Sequence, residues 1–274
     1  MRMHDREDRT ARSRRDMLIG GGALLAGALA PAALAHGARA AVKPSSPRII
    51  KTLTFLTRKP GATHAEFMRY WLDVHAPMAL RVPGMRGMIC NEVTMASTSS
   101  ARLPGGPSVP IDGIAESWKE ETSSLQNPDA PAAARAWYAD GPAFVGSIIG
   151  YRVEESVFVT PPRGGTGLIA LLKRKPEQSH AEFVDHWLNV HGPMAQQVPE
   201  VTGLILNEVT SQAERHDIPP LTGFGTIDGI AQSFRDDMDA PPSPERERWY
   251  ADGKASIGEA IGYRTREHVI IQPN

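Results

Sequence analysis

Thr63-His64-Ala65-Glu66-Phe67 and Trp71-Leu72-Asp73-Val74-His75 lie in the first half of the chain, and close copies of both return in the second half. The copies are Ser179-His180-Ala181-Glu182-Phe183 and Trp187-Leu188-Asn189-Val190-His191, at a constant offset of 116 residues (64 to 180, 75 to 191). A repeat of this length indicates two structural units of one kind, because such similarity within one chain marks a repeated supersecondary unit.

Each copy carries the same order of predicted elements. An apolar, β-branched run comes first, and then a helix that opens with a capping box, Thr63 with Glu66 in the first copy. Two further strand-like runs, a second helix and a last strand follow. Because Pro77 disfavours helical geometry at the residue before it, the first helix should end or bend beside His75.

This order, β-α-β-β-α-β, predicts an α+β fold built from two ferredoxin-like units. Each such sheet has helices on one face and leaves the other face bare, and a bare apolar face must be covered. A second copy in the same chain is the obvious cover, so the units should close face to face into an intramolecular, pseudo-dimeric α/β barrel. The space between the sheets is then the expected small-molecule pocket.

The first forty residues are expected to be an export signal. Arg14-Arg15 matches a twin-arginine motif, the apolar run from Leu18 to Leu34 follows, and Ala38-Arg39-Ala40 fits a cleavage site. The alternative, an N-terminal membrane helix, has only a short and weakly hydrophobic run to support it. The expected location is therefore periplasmic or secreted. The predicted segments are a signal peptide at 1–40, linkers at 41–48 and 161–166, and domains at 49–160 and 167–274.

Composition is that of an ordinary soluble globular protein, with 274 residues, 41% hydrophobic and 22% charged. Residues 1–40 hold seven Arg and four acidic residues, so the remaining chain has 23 basic and 27 acidic residues. That balance argues against nucleic acid or an anionic membrane as the main partner. Cys90 is the only cysteine, which excludes an intrachain disulfide and favours a core role over a haem thiolate. Nucleotide-binding and zinc motifs are missing from the sequence, so no cofactor and no metal are expected.

Taken together, the motifs resemble the EthD family of dimeric α/β-barrel proteins. Each half contains the motifs that carry the resemblance, which are Arg-Lys-Pro, His-x-x-Phe-x-x-x-Trp, Val-His-(Ala/Gly)-Pro-Met, Asn-Glu-Val and Asp-Gly-Ile-Ala. Family members are usually single domains that dimerise, so this chain resembles a fused pair and should be a monomer with an internal pseudo-dimer, with further oligomerisation open.

The resemblance implies fold more firmly than reaction. The family takes its name from a protein of bacterial ether breakdown, some fungal relatives act on aromatic polyketides, and the wider superfamily includes cofactor-free oxygenases, isomerases and haem proteins. The export signal and the long polar loop at 96–110 depart from the family pattern. The family's polar residues map onto His64, His75, His180, His191, Asn91, Asn207, Asp112 and Asp228.

His75 and His191 are the leading catalytic candidates, with Asn91 or Asn207 nearby. An imidazole that titrates near neutral pH could move a proton on an enolisable or phenolic ligand. The alternative is that each His, in the last turn of a helix, satisfies free backbone carbonyls.

A second group of residues is expected to contact a ligand, and each member has a structural alternative. The histidines of the group could fix a helix start, the tryptophans could be core, the aspartates could be turn residues or orient a histidine, and Glu116 could be an exposed strand residue. The group consists of His64, His180, Trp71, Trp187, Asp112, Asp228, Tyr151, Tyr263 and Glu116.

The expected function is binding of a small hydrophobic or aromatic molecule, with cofactor-independent acid/base chemistry of a lyase, dehydratase or oxygenase type. The alternative is a non-catalytic binding or accessory protein of a degradation pathway. A third alternative is a solid barrel that acts through its surface. Pocket-facing histidines in perturbed environments would favour the enzyme, and a purely apolar pocket would favour the binder.

Overall fold

The computed structural model describes residues 47–97, 105, 109–121, 129–213, 215–237 and 241–273. The expected signal peptide, most of the first linker and most of the 96–110 loop lie outside these residues. The chain from Ser45 to Asn274 forms one compact unit. None of the helices in the described ranges is both long and apolar enough to cross a bilayer.

Eight strands run through the two halves in the predicted order. Those of the first half are β1 (Ile49–Arg58), β2 (Met85–Ser97), β3 (Gly113–Glu120) and β4 (Val145–Val159). Those of the second half are β5 (Thr166–Arg174), β6 (Val201–Ala213), β7 (Gly229–Arg235) and β8 (Ile257–Ile271).

The helices follow the same repeat. In the first half they are α1 (His64–Tyr70), a π-helical turn (Trp71–His75), α2 (Ala76–Met78), a 3-10 turn (Ala79–Arg81), α3 (Ala132–Asp140) and a 3-10 turn (Gly141–Ala143). In the second half they are α4 (His180–His186), a π-helical turn (Trp187–His191), α5 (Gly192–Met194), a 3-10 turn (Ala195–Gln197) and α6 (Pro244–Ser256).

Both predicted capping boxes are present, and proline accounts for the π-helical turns. The Thr63 hydroxyl accepts from the Glu66 backbone N–H, and the Glu66 carboxylate accepts from the Thr63 N–H in return. Pro77 has no N–H to donate, and its ring would crowd a carbonyl one turn back in a regular α-helix. The preceding N–H, that of Ala76, reaches the Trp71 carbonyl five residues back. The first helix therefore widens into a π-helical turn up to His75 and continues into α2, where the sequence predicted an end or a bend.

The eight strands close into an antiparallel barrel in the order β1-β3-β2-β8-β5-β7-β6-β4. Two pairings join the halves, β2 with β8 and β4 with β6. Each half therefore turns its bare sheet face inward, toward the other half, and carries its helices outside. The predicted α+β, pseudo-dimeric barrel is confirmed.

Large apolar side chains pack together in the barrel interior, where the sequence analysis places the ligand chamber. Phe55 lies 5.9 Å from Tyr151, 5.6 Å from Phe224 and 6.4 Å from Tyr263, measured between ring centroids. Leu53, Ile114, Leu171 and Ile230, all with zero or near-zero exposure, complete one contiguous core with Ile169, Ile227 and Ile261. Bulky inward-facing side chains fill a small barrel of eight strands.

Separate apolar cores lie outside the barrel, between each half-sheet and its helices. Phe67, Trp71 and Met88 belong to the core of the first half, and Phe183, Trp187 and Leu204 to that of the second. Because side chains alternate along a strand, one strand serves both layers. On β2, Cys90 packs under the helices whereas Asn91 points into the barrel.

Candidate functional site on the outer face of the first half

A cavity of about 420 Å³ lies between the helices and the outer face of the first half-sheet. Its floor consists of the outward-facing side chains of β1, β3 and β4, among them Thr52, Thr54 and Ser117. Aromatic residues form much of the remaining wall, namely Trp71, Trp137, Tyr138 and Phe144. A few hydroxyls among aromatic rings make a suitable lining for a small aromatic ligand.

His75 lines this cavity at the end of the π-helical turn. Its Nδ1 lies 2.8 Å from Oδ2 of Asp140, the last residue of α3, and the other oxygen of that carboxylate accepts from the Tyr70 hydroxyl at 2.8 Å. The His75 ring stacks on Trp137 with 5.3 Å between centroids, and Phe144 packs against it at 4.8 Å. The described bond of the His75 side chain goes to a carboxylate, not to the helix carbonyls of the capping alternative.

The environment of His75 favours the neutral imidazole. Burial lowers the pKa of His75, the Asp140 carboxylate opposes that shift, and the nearby Arg215 guanidinium adds to it. A neutral ring beside a carboxylate carries its proton on Nδ1 and donates it to Asp140, so Nε2 is the unprotonated nitrogen. Such a ring is poised to accept a proton at Nε2 from a molecule in the cavity.

The second half contributes one side of this cavity. The end of β6 and the segment after it lie against the first half, where Gln212, Arg215 and His216 line the cavity. The Arg215 guanidinium lies 4.0 Å from the centre of the Tyr138 ring and binds the carboxylate of Asp217 at 2.7 Å. The site therefore depends on both halves.

Two further cations lie on the cavity floor, Lys119 on β3 and Arg152 on β4. Burial lowers the pKa of Lys119 to about 8, and the positive charges of Arg152 and Arg215 contribute to the shift.

The second half repeats the histidine–aspartate pair, with the backbone of α6 close to the histidine ring. His191 Nδ1 lies 2.8 Å from Asp252 Oδ2, and the His191 ring stacks on Trp249 at 5.1 Å. His186 replaces Tyr70 as the second partner of the carboxylate, at 3.1 Å. The backbone of α6 closes on the ring, because a Cβ placed on Gly253 would lie 3.1 Å from His191 Cε1.

The other predicted histidines lie at the helix starts, outside the cavity lining. His64 Nδ1 lies 3.0 Å from Asp112 Oδ1, and His180 repeats this contact with Asp228 at 2.9 Å. Arg58 and Arg174 bind the same carboxylates. Each aspartate thus ties a helix start to the end of a strand, which agrees with the structural alternatives for these residues.

Asn91, Asn207 and Glu116 meet inside the barrel, on the opposite side of the sheet from His75. Asn91 Nδ2 donates to Glu116 Oε1 at 2.9 Å, and Gln232 Nε2 donates to the same oxygen at 2.9 Å. Asn207 Nδ2 donates to Gln232 Oε1 at 3.0 Å. The expected grouping of a catalytic histidine with Asn91 or Asn207 is therefore wrong, because alternation along the strands sends these side chains inward.

The remaining candidates divide between the two layers. Trp71 and Trp187 are core residues of their halves and pack against Gly113 and Gly229, and Trp71 also lines the cavity. Tyr151 and Tyr263 belong to the barrel core, and Tyr263 donates to the Val109 carbonyl at 2.8 Å. Glu116 is wholly buried, so its exposed-strand alternative is wrong. Cys90 is a buried core residue whose thiol pKa is raised by burial, as the core reading requires.

Asp140 is the main residue that the sequence analysis missed, although a signal for it was present. Trp137-Tyr138-Ala139-Asp140-Gly141 returns unchanged as Trp249-Tyr250-Ala251-Asp252-Gly253, which marks both aspartates in the same way as the repeated histidines. Lys119, Arg152 and Arg215 carried no comparable signal, because charged residues at strand ends and in loops are common on protein surfaces.

Comparison with known proteins assigns the chain to a family and supports its fold. The EthD domain pattern matches residues 59–147 and 175–252, and the chain belongs to the EthD domain family. A search of curated proteins gave no match.

Among solved structures, the fold is similar to an anthrone oxidase-like protein, with 11% identity and a TM-score of 0.50 over 82% of this chain and 95% of that one. It is also similar to a protein from Fusobacterium nucleatum whose name proposes a monooxygenase, with 10% identity and a TM-score of 0.51 over the same two shares. These likenesses concern the fold alone.

Proposed function

We propose that the cavity of the first half binds a small aromatic molecule and that His75 acts there as a general base. One observation carries the proposal: a neutral imidazole, held by Asp140 through Nδ1, lies in the wall of an aromatic-lined cavity. The names of the two similar structures, an oxidase-like protein and a monooxygenase, lend support to chemistry on small molecules of this kind.

The proposed step is proton abstraction from an acidic C–H or phenolic O–H group. The bond to hydrogen breaks, the proton moves to His75 Nε2, and the electron pair stays on the ligand as an enolate or phenolate. Asp140 stabilises the imidazolium that forms, as a carboxylate bound to Nδ1–H does in other proton-transfer sites. An oxygenase would continue by reaction of that anion with O2, and a lyase or dehydratase by loss of a leaving group.

Deuterium exchange tests the step with 2-tetralone, an enolisable aromatic ketone, as the probe. In D2O buffer, the protein should accelerate loss of the acidic C–H signal in ¹H NMR spectra. His75→Gln should lower the rate by roughly 100-fold, since positioned acid/base groups contribute about 10²–10⁴-fold.

His191→Gln is the matched control, because His191 makes the same contacts in the second half. Its exchange rate should stay near that of the parent protein. If His75→Gln keeps the parent rate while its melting temperature falls, His75 is a structural residue and the general-base proposal is wrong. Oxygen uptake during the same reaction would identify the oxygenase branch.

We further propose that the protein is exported by the twin-arginine route to the periplasm or beyond. Arg14-Arg15 and the Ala38-Arg39-Ala40 site support this proposal. The mature protein should begin at Ala41, as N-terminal sequencing of the secreted fraction would show. Replacement of Arg14 and Arg15 by Lys should retain the protein in the cytoplasm with residues 1–40 attached, and export of that variant would contradict the proposal.

A further inference from the structure

The side chains that line the cavity carry more positive than negative charges. Lys119, Arg152 and Arg215 all line it, and the positive charges of Arg152 and Arg215 both act on Lys119. In the strand register, Lys119 lies opposite Ile50, and Arg152 lies opposite Thr52 on the other side of β1. The two side chains therefore flank the first residues of β1 on the same outer face.

The carboxylates near this face are bound to other cations. Glu120 and Glu121 also line the cavity, but Glu120 accepts from Arg86 at 2.9 Å and Glu121 lies 3.8 Å from Arg48. Arg215 is compensated by Asp217. Among the described residues, neither Lys119 nor Arg152 has a carboxylate within 4.0 Å.

In the second half, the cation at the position equivalent to Lys119 binds another side chain of the protein. The counterpart of Lys119 is Arg235, whose Nη1 donates to the Tyr250 hydroxyl at 2.8 Å. Lys119 makes no such bond to Tyr138, the equivalent tyrosine, which instead stacks under Arg215. The fold therefore does not require an uncompensated cation here, and the first half departs from its copy at the cavity.

We propose that Lys119 and Arg152 bind an anionic oxygen of the ligand, so that the cavity selects a small aromatic molecule carrying a carboxylate or a comparable anionic oxygen. The inference rests on the proposed binding function of the same cavity. Two cations on the floor of a cavity with aromatic walls would orient such a ligand with its ring among Trp71, Trp137 and Phe144. An enolate formed by proton transfer to His75 would be stabilised by the same charges.

Calorimetric titration of the purified protein with a matched pair of probes tests this. 2-Naphthoate carries the charge, and 2-naphthamide has almost the same shape without it. We expect about tenfold tighter binding of 2-naphthoate at low salt, with the difference shrinking as ionic strength rises. Lys119→Met and Arg152→Met should each remove most of the preference for 2-naphthoate over 2-naphthamide.

Lys254→Met is the matched control, because it removes the same charge from an exposed position on α6 in the second half. It should keep the parent preference. Lys119→Arg retains the charge and should also keep it, which separates charge from folding if Lys119→Met is unstable.

Equal affinity for the two probes, with mutual competition, would overturn the anion inference and leave the binding function standing. Failure of both probes to bind would overturn the inference as well, and 2-tetralone exchange would then decide the general-base proposal by itself. A preference that survives both Lys119→Met and Arg152→Met would also overturn it.

Discussion

In the first half of the barrel His75 faces a cavity of about 420 Å³, whereas in the second half the backbone of α6 lies against the ring of its copy, His191. Both rings bind an aspartate through Nδ1 and stack on a tryptophan, so the local contacts are almost the same. The halves differ in what surrounds these contacts: α3 passes into a 3-10 turn at Gly141, whereas α6 stays α-helical through Gly253, and a segment of the second half borders the first cavity. A duplicated unit can thus keep its stabilising contacts in both copies while one copy gains a site.

The barrel interior shows a second asymmetry, and altering it should produce the largest effect. Lys51 Nζ lies 3.1 Å from Glu116 Oε2, and both residues are buried. Their counterparts in the second half are Gly167 and Gln232, which carry no charge. Lys51 Nζ also binds the carboxylate of Glu155. Lys51→Met should cost about 3–5 kcal/mol of unfolding free energy, because it leaves the buried Glu116 carboxylate and the half-buried Glu155 carboxylate without their cation.

Urea denaturation would measure this change. Lys51→Met combined with Glu116→Gln gives these two positions the uncharged state of their counterparts, and it should recover part of the loss, because Glu155 is still left without Lys51. If the double variant is no more stable than Lys51→Met alone, the ion pair is not what holds this end of the barrel.

The two aspartates give the next largest difference. Asp140→Asn should lower the rate of 2-tetralone exchange by roughly 100-fold, because an amide no longer holds the Nδ1–H tautomer or stabilises the imidazolium. Asp252→Asn makes the same chemical change beside His191 and should leave the rate nearly unchanged. Equal losses in the two variants, measured by NMR at one protein concentration, would show that both halves act.

The pH dependence of anion binding should reveal a smaller difference between the halves, because the first half has Lys119 where the second half has Arg235. Lys119, with a pKa of about 8, is protonated below that pH and loses its charge above it. Affinity for 2-naphthoate should therefore fall several-fold, at most about tenfold, between pH 7 and pH 9.5. The other charged or titratable groups that line the cavity are Arg152, Arg215, Glu120, Glu121, Tyr138 and His216. His75, whose pKa is lowered, is neutral throughout this range. Lys119→Arg should remove the dependence, and its persistence in that variant would exclude Lys119 as the source.

The smallest expected effect comes from Tyr70, whose hydroxyl donates to Asp140 at 2.8 Å where the second half uses His186. Tyr70→Phe should destabilise the protein by about 1 kcal/mol, the typical net value of one hydrogen bond. It should lower the exchange rate only a few-fold, because the His75 contact remains. Thermal melting and NMR exchange would measure the two effects, and a 100-fold rate loss would mean that Tyr70 itself contacts the substrate.

Much of the fold could be predicted from the repeat. The capping residues Thr63 and Ser179 start the first helices where expected, and the β-α-β-β-α-β order of both halves is present. The site could be predicted only in part. His75 and Trp71 were found, but Asn91, Tyr151 and Glu116 lie inside the barrel. The sequence analysis grouped the catalytic histidine with Asn91 or Asn207 because these residues belong to the same repeated motifs. Side chains alternate along a strand, however, and this alternation turns both asparagines into the barrel interior.

By itself, the sequence determined the duplicated unit, its elements and the closure of two sheets into one barrel, since these follow from hydrophobic period, capping and the need to cover an apolar face. Only the tertiary structure decided where a ligand could fit. The volume left inside an eight-stranded barrel depends on how its inward-facing side chains pack, among them Phe55, Tyr151, Phe224 and Tyr263. No single sequence motif specifies that packing. Large side chains pack together in the interior, and the gap between α3 and the first half-sheet, bordered by Arg215 from the other half, forms a cavity.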